Sequence, residues 1–180
     1  MLEGELLEQR AIIWDKEAFN ELEESGYGKV LEDKLELALV EVMFLFNKEK
    51  LNVFVKEGKK KKKLSKEELY DYCAKNEKNF HARLIVYTDL RDRGFLLKTG
   101  FKFGTDFRVY ERGVKLKKGP KAAFEHTKWV VHAIPEEFTC SFPELSRAVR
   151  LAQNIRSEMI WAVVDSDNDV TYYAIKRLTL

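Results

Sequence analysis

Tyr87-Thr88-Asp89-Leu90-Arg91-Asp92-Arg93-Gly94-Phe95-Leu96-Leu97-Lys98 is the stretch where this chain changes character. Upstream of Gly94, the residues Leu84, Ile85, Tyr87, Thr88 and Leu90 form the buried stripe of a helix predicted over Phe80 to Arg93. Gly94 ends that helix, because only glycine takes the left-handed C′ conformation without a Cβ penalty. Downstream, Phe95–Lys98, Phe107–Glu111, Trp129–Ile134, Ile160–Val164 and Thr171–Leu178 are rich in β-branched and aromatic residues, with Gly, Pro or Asp clusters between them. These read as strands. Only Pro143–Arg156 breaks the pattern, since Leu145, Ala148, Val149, Ala152 and Ile155 recur at three and four residues and mark one crossing helix. The change of character near Phe80–Arg83 divides the chain into a helical N-terminal half and a sheet-plus-helix C-terminal half.

Working back from that junction, Ser65-Lys66-Glu67-Glu68 is a capping box, so a helix is expected from there to about Lys75. Before it, Gly58 opens a lysine run, Lys59–Lys63, whose mutual repulsion predicts a solvated loop. Leu51–Val55 alternates and reads as a strand. Leu31–Asn47 carries Leu35, Leu39, Val42, Met43 and Phe46 at helical spacing and reads as one amphipathic helix. Glu3 to Trp14 reads as extended pieces. Asp15 is a plausible N-cap for a helix over Lys16–Glu24, stopped at Ser25-Gly26-Tyr27-Gly28.

The whole chain has 180 residues, 45% of them apolar, enough for one domain with a real core or for two small ones. Lys+Arg total 32 against 30 Asp+Glu, so a nucleic-acid footprint has to come from local clustering rather than net charge. Cys73 and Cys140 make no metal-type spacing, which disfavours a zinc module or a disulfide scaffold and points to a reducing, cytoplasmic compartment. The longest apolar runs, such as Val42–Phe46, are far short of the roughly 20 residues of a membrane span, and no signal peptide is visible at the N-terminus. Phosphate-binding glycine loops, the zinc-protease helix motif and the serine nucleophile elbow are all missing from the sequence. The metal-like string Asp165-Ser166-Asp167-Asn168-Asp169 has Val170 where a calcium loop needs glycine, and it reads as a polar turn between strands. No metal and no cofactor is expected.

The segment Tyr87 to Phe95, followed by Lys98-Thr99-Gly100-Phe101-Lys102-Phe103-Gly104-Thr105-Asp106-Phe107-Arg108-Val109-Tyr110, resembles a signature of archaeal tRNA-intron (splicing) endonucleases, Y-x-D-L-R-x-x-G-(Y/F)…K-(S/T)-G-x-K-(F/Y)-G-x-x-F-x-(V/L)-Y. The likeness continues through Glu125-His126, Arg150-Leu151-Ala152, Ile155-Arg156 and Ala162-Val163-Val164-Asp165 to Tyr172-Tyr173. It implies an α/β (α+β) fold: a small N-terminal α/β assembly domain, placed over 1–82, then a nuclease domain over 83–180 with a mixed β-sheet flanked by helices. It also implies assemblies of four units, a homotetramer or a heterotetramer with a second subunit. The implied substrate is precursor tRNA with a bulge-helix-bulge motif, cut without metal to leave a 2′,3′-cyclic phosphate and a 5′-hydroxyl; DNA and membranes are not implied partners.

That reaction must deprotonate a 2′-hydroxyl, stabilise a negatively charged phosphorane and protonate the departing 5′-oxygen. The resemblance assigns Tyr110 as base and His126 as acid. A free phenol titrates near 10, so a phenol acting as base near neutrality needs cations close by; Arg108, Arg112 and Lys115 are the neighbours in sequence. A free imidazole, near 6.5, suits proton donation at neutral pH. His81 and His132 match no motif position and read as surface or structural residues. Arg150 matches a family arginine that contacts a bulged nucleotide, in keeping with guanidinium stacking on an unpaired base.

Two departures from the pattern matter. Where family members place a catalytic lysine after the motif arginine, the stretch Arg150-Leu151-Ala152-Gln153-Asn154-Ile155-Arg156-Ser157-Glu158 has Ser157. A hydroxyl carries no full positive charge, and losing one oxyanion donor typically costs about 10²–10³ in rate. Either Arg156 or a loop lysine supplies the charge, or the lysine was removed by design, or the chain is a slow or structural, RNA-binding subunit of the same assembly. The second departure is a long connection between Tyr110 and His126 carrying Lys115, Lys117, Lys118 and Lys121, which reads as a solvated loop or an RNA-backbone contact. The turn bearing Asp165, Asp167 and Asp169 resembles the family loop that inserts into a basic groove of a neighbouring dimer. The strand after it would otherwise be an exposed apolar edge, so it is expected at a dimer interface.

Overall fold

The computed structural model describes residues 1–58, 60–99, 105–114 and 126–178. The chain divides into two compact units, Met1–Leu84 and Ile85–Leu180. Both are α+β, each built on one mixed sheet.

In the first unit, β1 (Leu2–Leu7) and β2 (Arg10–Ile13) form an antiparallel pair. A short 3₁₀ turn at Lys16–Ala18 leads into α1 (Phe19–Glu24), and the Asp15 side chain accepts from the Glu17 amide at 3.1 Å. β3 (Lys29–Leu31), β4 (Lys34–Ala38), α2 (Leu39–Asn47), β5 (Leu51–Glu57), β6 (Lys60–Lys63) and α3 (Lys66–Asn76) follow. The sheet order is β3-β4-β2-β1-β5-β6, and β1 pairs with β5 in parallel. The expected single helix over Leu31–Asn47 is therefore replaced by strand up to Ala38 and helix only from Leu39. Leu35 and Leu37 are both fully buried, an alternation of period two, and the four-residue step from Leu35 to Leu39 fitted both periods. The switch falls at Glu41, whose buried carboxylate accepts from the Ala38 amide at 2.8 Å and the Gly28 amide at 3.1 Å. Gly28 has φ +58° with the Glu36 carbonyl 2.6 Å from where a Cβ would sit, so glycine alone fits.

The lysine run departs from expectation too. Lys60–Lys63 is a strand, paired antiparallel to β5 from Phe54 to Glu57, and it forms the sheet's edge with all four side chains exposed. Strand pairing uses backbone groups, and lysines on an edge discourage pairing with another chain. Lys59 lies outside the described residues. The Ser65 capping box forms as read, with the Glu68 amide 3.2 Å from the Ser65 hydroxyl and the Glu68 carboxylate accepting from the Ser65 amide at 2.9 Å.

α4 (Phe80–Asp92) begins in the first unit and continues into the second. There β7 (Leu96–Thr99), β8 (Phe107–Tyr110), β9 (Trp129–Pro135), α5 (Phe142–Asn154), β10 (Glu158–Val164) and β11 (Val170–Ile175) build a sheet of order β11-β10-β9-β8-β7. Among the described residues only β9 and β10 run parallel there, and α5 is the crossover between them. α5 starts on a second capping box, Ser141 with Glu144, that the sequence reading passed over. It buries Val149 and Ala152, and Ala152 packs with Val130 and Met159. Among the described residues, no helix is long and apolar enough to cross a membrane.

The Tyr172 hydroxyl donates to Asp89 at 2.5 Å, fastening β11 to α4, and Asp89 also pairs with Arg93 at 2.9 Å. Burial, then that carboxylate, pushes the Tyr172 phenol well above its ordinary value. A folded-state value raised in this way contributes stability that is whole below about 10 and is lost as pH climbs toward the folded value. Urea midpoints should therefore fall above pH 10, and Tyr172→Phe should start lower and fall less steeply. The fall that remains comes in part from the buried Cys73 thiol, pushed up to about 12 by burial and then by Glu77. Equal slopes in the two proteins would refute the assignment.

Candidate active site

The topology of the second unit decides what meets what. β8 runs antiparallel to β9, and β9 runs parallel to β10. The C-terminal end of β8 and the N-terminal ends of β9 and β10 therefore lie side by side at one end of the sheet. Tyr110 is the last residue of β8, His126 lies just before β9, and Ser157 immediately precedes β10.

Backbone hydrogen bonds fix the approach of these three positions. The Lys128 amide donates to the Val109 carbonyl at 3.0 Å, and the Glu158 amide donates to the Lys128 carbonyl at 3.0 Å. The Ser157 hydroxyl donates to the Thr127 carbonyl at 2.8 Å, next to His126. Ser157 is half-buried and His126 is exposed. Tyr110 is only 1% exposed and packs with Leu96 and Val114. Arg156 closes the turn after α5 in a left-handed conformation, φ +55°, one residue ahead of Ser157. Ser157 thus sits at a strand start on the Tyr110 side of the sheet, held by its own hydrogen bond.

The cations named from sequence proximity are distributed unevenly. Arg108 lies mid-strand in β8, paired with Lys98 and Val130, and is half-buried. The Arg112 guanidinium lies 4.7 Å from the centre of the Phe95 ring, and Phe95 meets Trp129 edge-on at 5.7 Å. These aromatic groups, with Val109, Val131 and Tyr172, line a cavity of about 280 Å³ on the sheet face that carries Val109 and Trp129. Lys115, Lys117, Lys118 and Lys121 lie outside the described residues, as do Glu125 and the motif stretch 100–104.

Lys128 was missed in the sequence. It pairs with Glu111, and its ammonium also lies 4.8 Å from the centre of the Trp129 ring. The signal available was only its place two residues after His126, since no motif position marks it. Trp129 in turn donates its indole N–H to Glu158 at 3.2 Å, so the acid next to Ser157 is engaged away from it.

The remaining sequence-predicted positions are spread further. Arg150 is exposed on α5, opposite the buried Val149 and Ala152. The Asp165–Asp169 turn is internally bonded: one Asp165 oxygen accepts from the Asp167 and Asp169 amides, each at 2.9 Å. Asp167 and Asp169 are exposed, and Asn168 takes φ +65° there. His132 is no bystander to the fold, since its Nδ1 is 2.9 Å from Asp106, whose carboxylate also accepts from the Ala133 amide at 2.8 Å.

Comparison with known proteins adds the family. Residues 80–172 match the model of the tRNA intron endonuclease, catalytic C-terminal domain, and residues 2–70 match that of the tRNA intron endonuclease, N-terminal domain. A tRNA-splicing endonuclease of Thermococcus kodakarensis is 40% identical over 168 residues, covering 93% of this chain and 92% of its own length. One of Methanococcus maripaludis is 36% identical over 177 residues, covering 98% and 94%. A longer one from Methanococcoides burtonii is 38% identical over 176 residues, which is 97% of this chain and 48% of that protein.

Proposed function

This chain belongs to the tRNA intron endonuclease family, and from that premise we propose that it cuts precursor tRNA at bulge-helix-bulge intron boundaries by metal-independent attack of the ribose on its own strand. The ribose 2′-oxygen forms a bond to phosphorus as its proton passes to Tyr110, which acts as the phenolate and becomes the neutral phenol. The bond from phosphorus to the 5′-oxygen breaks as His126 delivers a proton there. The products are a 2′,3′-cyclic phosphate and a 5′-hydroxyl, with atoms and charge in balance. Each proton transfer is worth roughly 10²–10⁴ in rate.

The observation that carries this reading is the arrival of Tyr110, His126 and Ser157 at one end of one sheet from three separate segments. Tyr110 is covered in the free chain, and Val114 is a neighbour that RNA has to displace to reach the phenol. Arg150 would stack on a bulged base, and the loop lysines 115, 117, 118 and 121 would add salt-dependent phosphate contacts. We place the N-terminal unit in assembly, with the Asp165–Asp169 turn seated on a neighbouring subunit of a tetramer in the cytoplasm.

A second reading is favoured by one observation. Ser157, in the place of a catalytic lysine, is neutral and spends its hydroxyl on Thr127, as a structural, RNA-binding subunit could afford to do. Incubating the purified chain alone with a bulge-helix-bulge RNA separates the two readings. Cleavage at both boundaries supports the enzyme, whereas tight binding without cleavage until a second subunit is added supports the scaffold.

A further inference from the structure

We propose that the open face of the β5–β6 edge, carrying Lys56, Lys61 and Lys63, grips the phosphodiester backbone of the substrate RNA, so that the N-terminal unit binds substrate as well as serving assembly. This inference rests on the reading above that the substrate is RNA, and it asks nothing of the cleavage chemistry.

The charge is concentrated in a chain that has little of it overall. Residues 56–66 hold seven lysines and one glutamate, whereas the net charge of all 180 residues is +2. Such a run left to itself spreads as a solvated loop, yet Lys60–Lys63 is held as a strand against β5. The register then decides which lysines share a face. Lys56 stands directly opposite Lys61, and Phe54 opposite Lys63, so Lys56, Lys61 and Lys63 project together from one side of the sheet. Neighbouring strands are about 4.8 Å apart, and residues two apart on one strand about 7 Å. Three ammonium groups are thereby rooted close together, although like charges directly opposite are destabilising. Lys62 points the other way, to Glu68 of α3.

Little on the protein neutralises the shared face. Lys56 pairs with Glu5 at 2.7 Å, but its side chain is 61% exposed and such a pair is weak. Lys61 and Lys63 are exposed, and among the described residues no carboxylate pairs with either. Glu3, Glu5 and Asp15 line the hollow beside Lys61, and the two glutamates lie on β1, one strand further in. Their charge confines a polyanion to the outer two strands. A lysine cluster of this kind fits phosphate better than protein, since lysine is depleted at protein interfaces where arginine is enriched. Edge lysines also oppose the addition of a strand from another chain. Guarding the edge gives no reason, however, for a further lysine directly opposite on β5. A nucleic acid gives one, because each phosphate that meets a lysine releases its counterions.

Binding of a precursor tRNA to the full chain, measured over a range of salt, tests the inference. Replacing Lys61 and Lys63 together leaves the Lys56–Glu5 and Lys62–Glu68 ion pairs in place. The double variant Lys61→Ala, Lys63→Ala should bind roughly 25–60-fold more weakly at 0.1 M salt, and the slope of log K against log salt should flatten by about 1.4–1.8. Its cleavage rate constant at saturating enzyme should stay within about threefold of the parent. Lys62→Ala, on the same strand but the opposite face, should keep the parental affinity, and Lys61→Arg with Lys63→Arg should retain most of it. An unchanged slope in the double alanine variant overturns the inference, as does an equal loss in Lys62→Ala. A double variant that binds RNA as the parent does while changing its mass in solution makes the patch a protein contact, which overturns it too. A parent that binds the precursor but never cuts it defeats the cleavage reading and leaves this inference standing, whereas a parent without affinity for the RNA at low salt ends both.

Discussion

A precursor tRNA carrying 2′-deoxyribose at its two cut sites is expected to pass through this enzyme intact while still binding it. In the proposed reaction the attacking atom belongs to the substrate, already held within bonding reach of the phosphorus by the ribose. Well-oriented intramolecular attack is worth effective concentrations of about 10⁵–10⁸ M, and water in an ordinary site does not replace it. Cleavage of the deoxy RNA should therefore fall by at least about 10⁵-fold, with its dissociation constant nearly unchanged. A deoxy substrate cut at a comparable rate would mean that an external nucleophile does the work. The assignment of Tyr110 as base would then lose its proton.

His126→Ala has the second largest expected effect, a fall of about 10²–10⁴-fold in the cleavage rate constant. His126 is exposed, so the substitution should leave the fold standing. The assigned role can be separated from mere disturbance by changing the leaving group. A substrate with sulfur in place of the 5′-bridging oxygen releases a thiolate, which departs without a proton. His126→Ala should cut that RNA at nearly the parental rate. Equal impairment on both substrates would contradict the role of acid.

Much of the second unit was legible in the sequence because its signals agree with one another. The apolar stripe before Gly94, the β-branched runs and the three-and-four spacing of Leu145 to Ile155 each admit one reading, and the elements fall where they do. The first unit was less legible for identifiable reasons. Leu35 and Leu39 satisfy the helical and the extended period together, and the choice is made by Glu41 reaching Ala38 and Gly28, a contact between segments that no local window contains. The edge strand Lys60–Lys63 has no apolar signal at all, since only its backbone takes part in the sheet.

For the candidate site, Tyr110, His126 and Ser157 could be named from motif positions, but the arrival of their segments at one end of the sheet could not. It follows from β8 running antiparallel to β9 while β10 runs parallel, which is a property of topology. The cavity bordered by Phe95, Trp129 and Tyr172 likewise joins residues far apart in the chain.

The most direct test of the account is end-group analysis of the RNA fragments made by the purified chain in the presence of a metal chelator. The account predicts undiminished cutting, a 2′,3′-cyclic phosphate on each upstream fragment and a free 5′-hydroxyl on each downstream one. Fragments ending in a 3′-hydroxyl and a 5′-phosphate, or cutting that stops when the chelator is added, would contradict it.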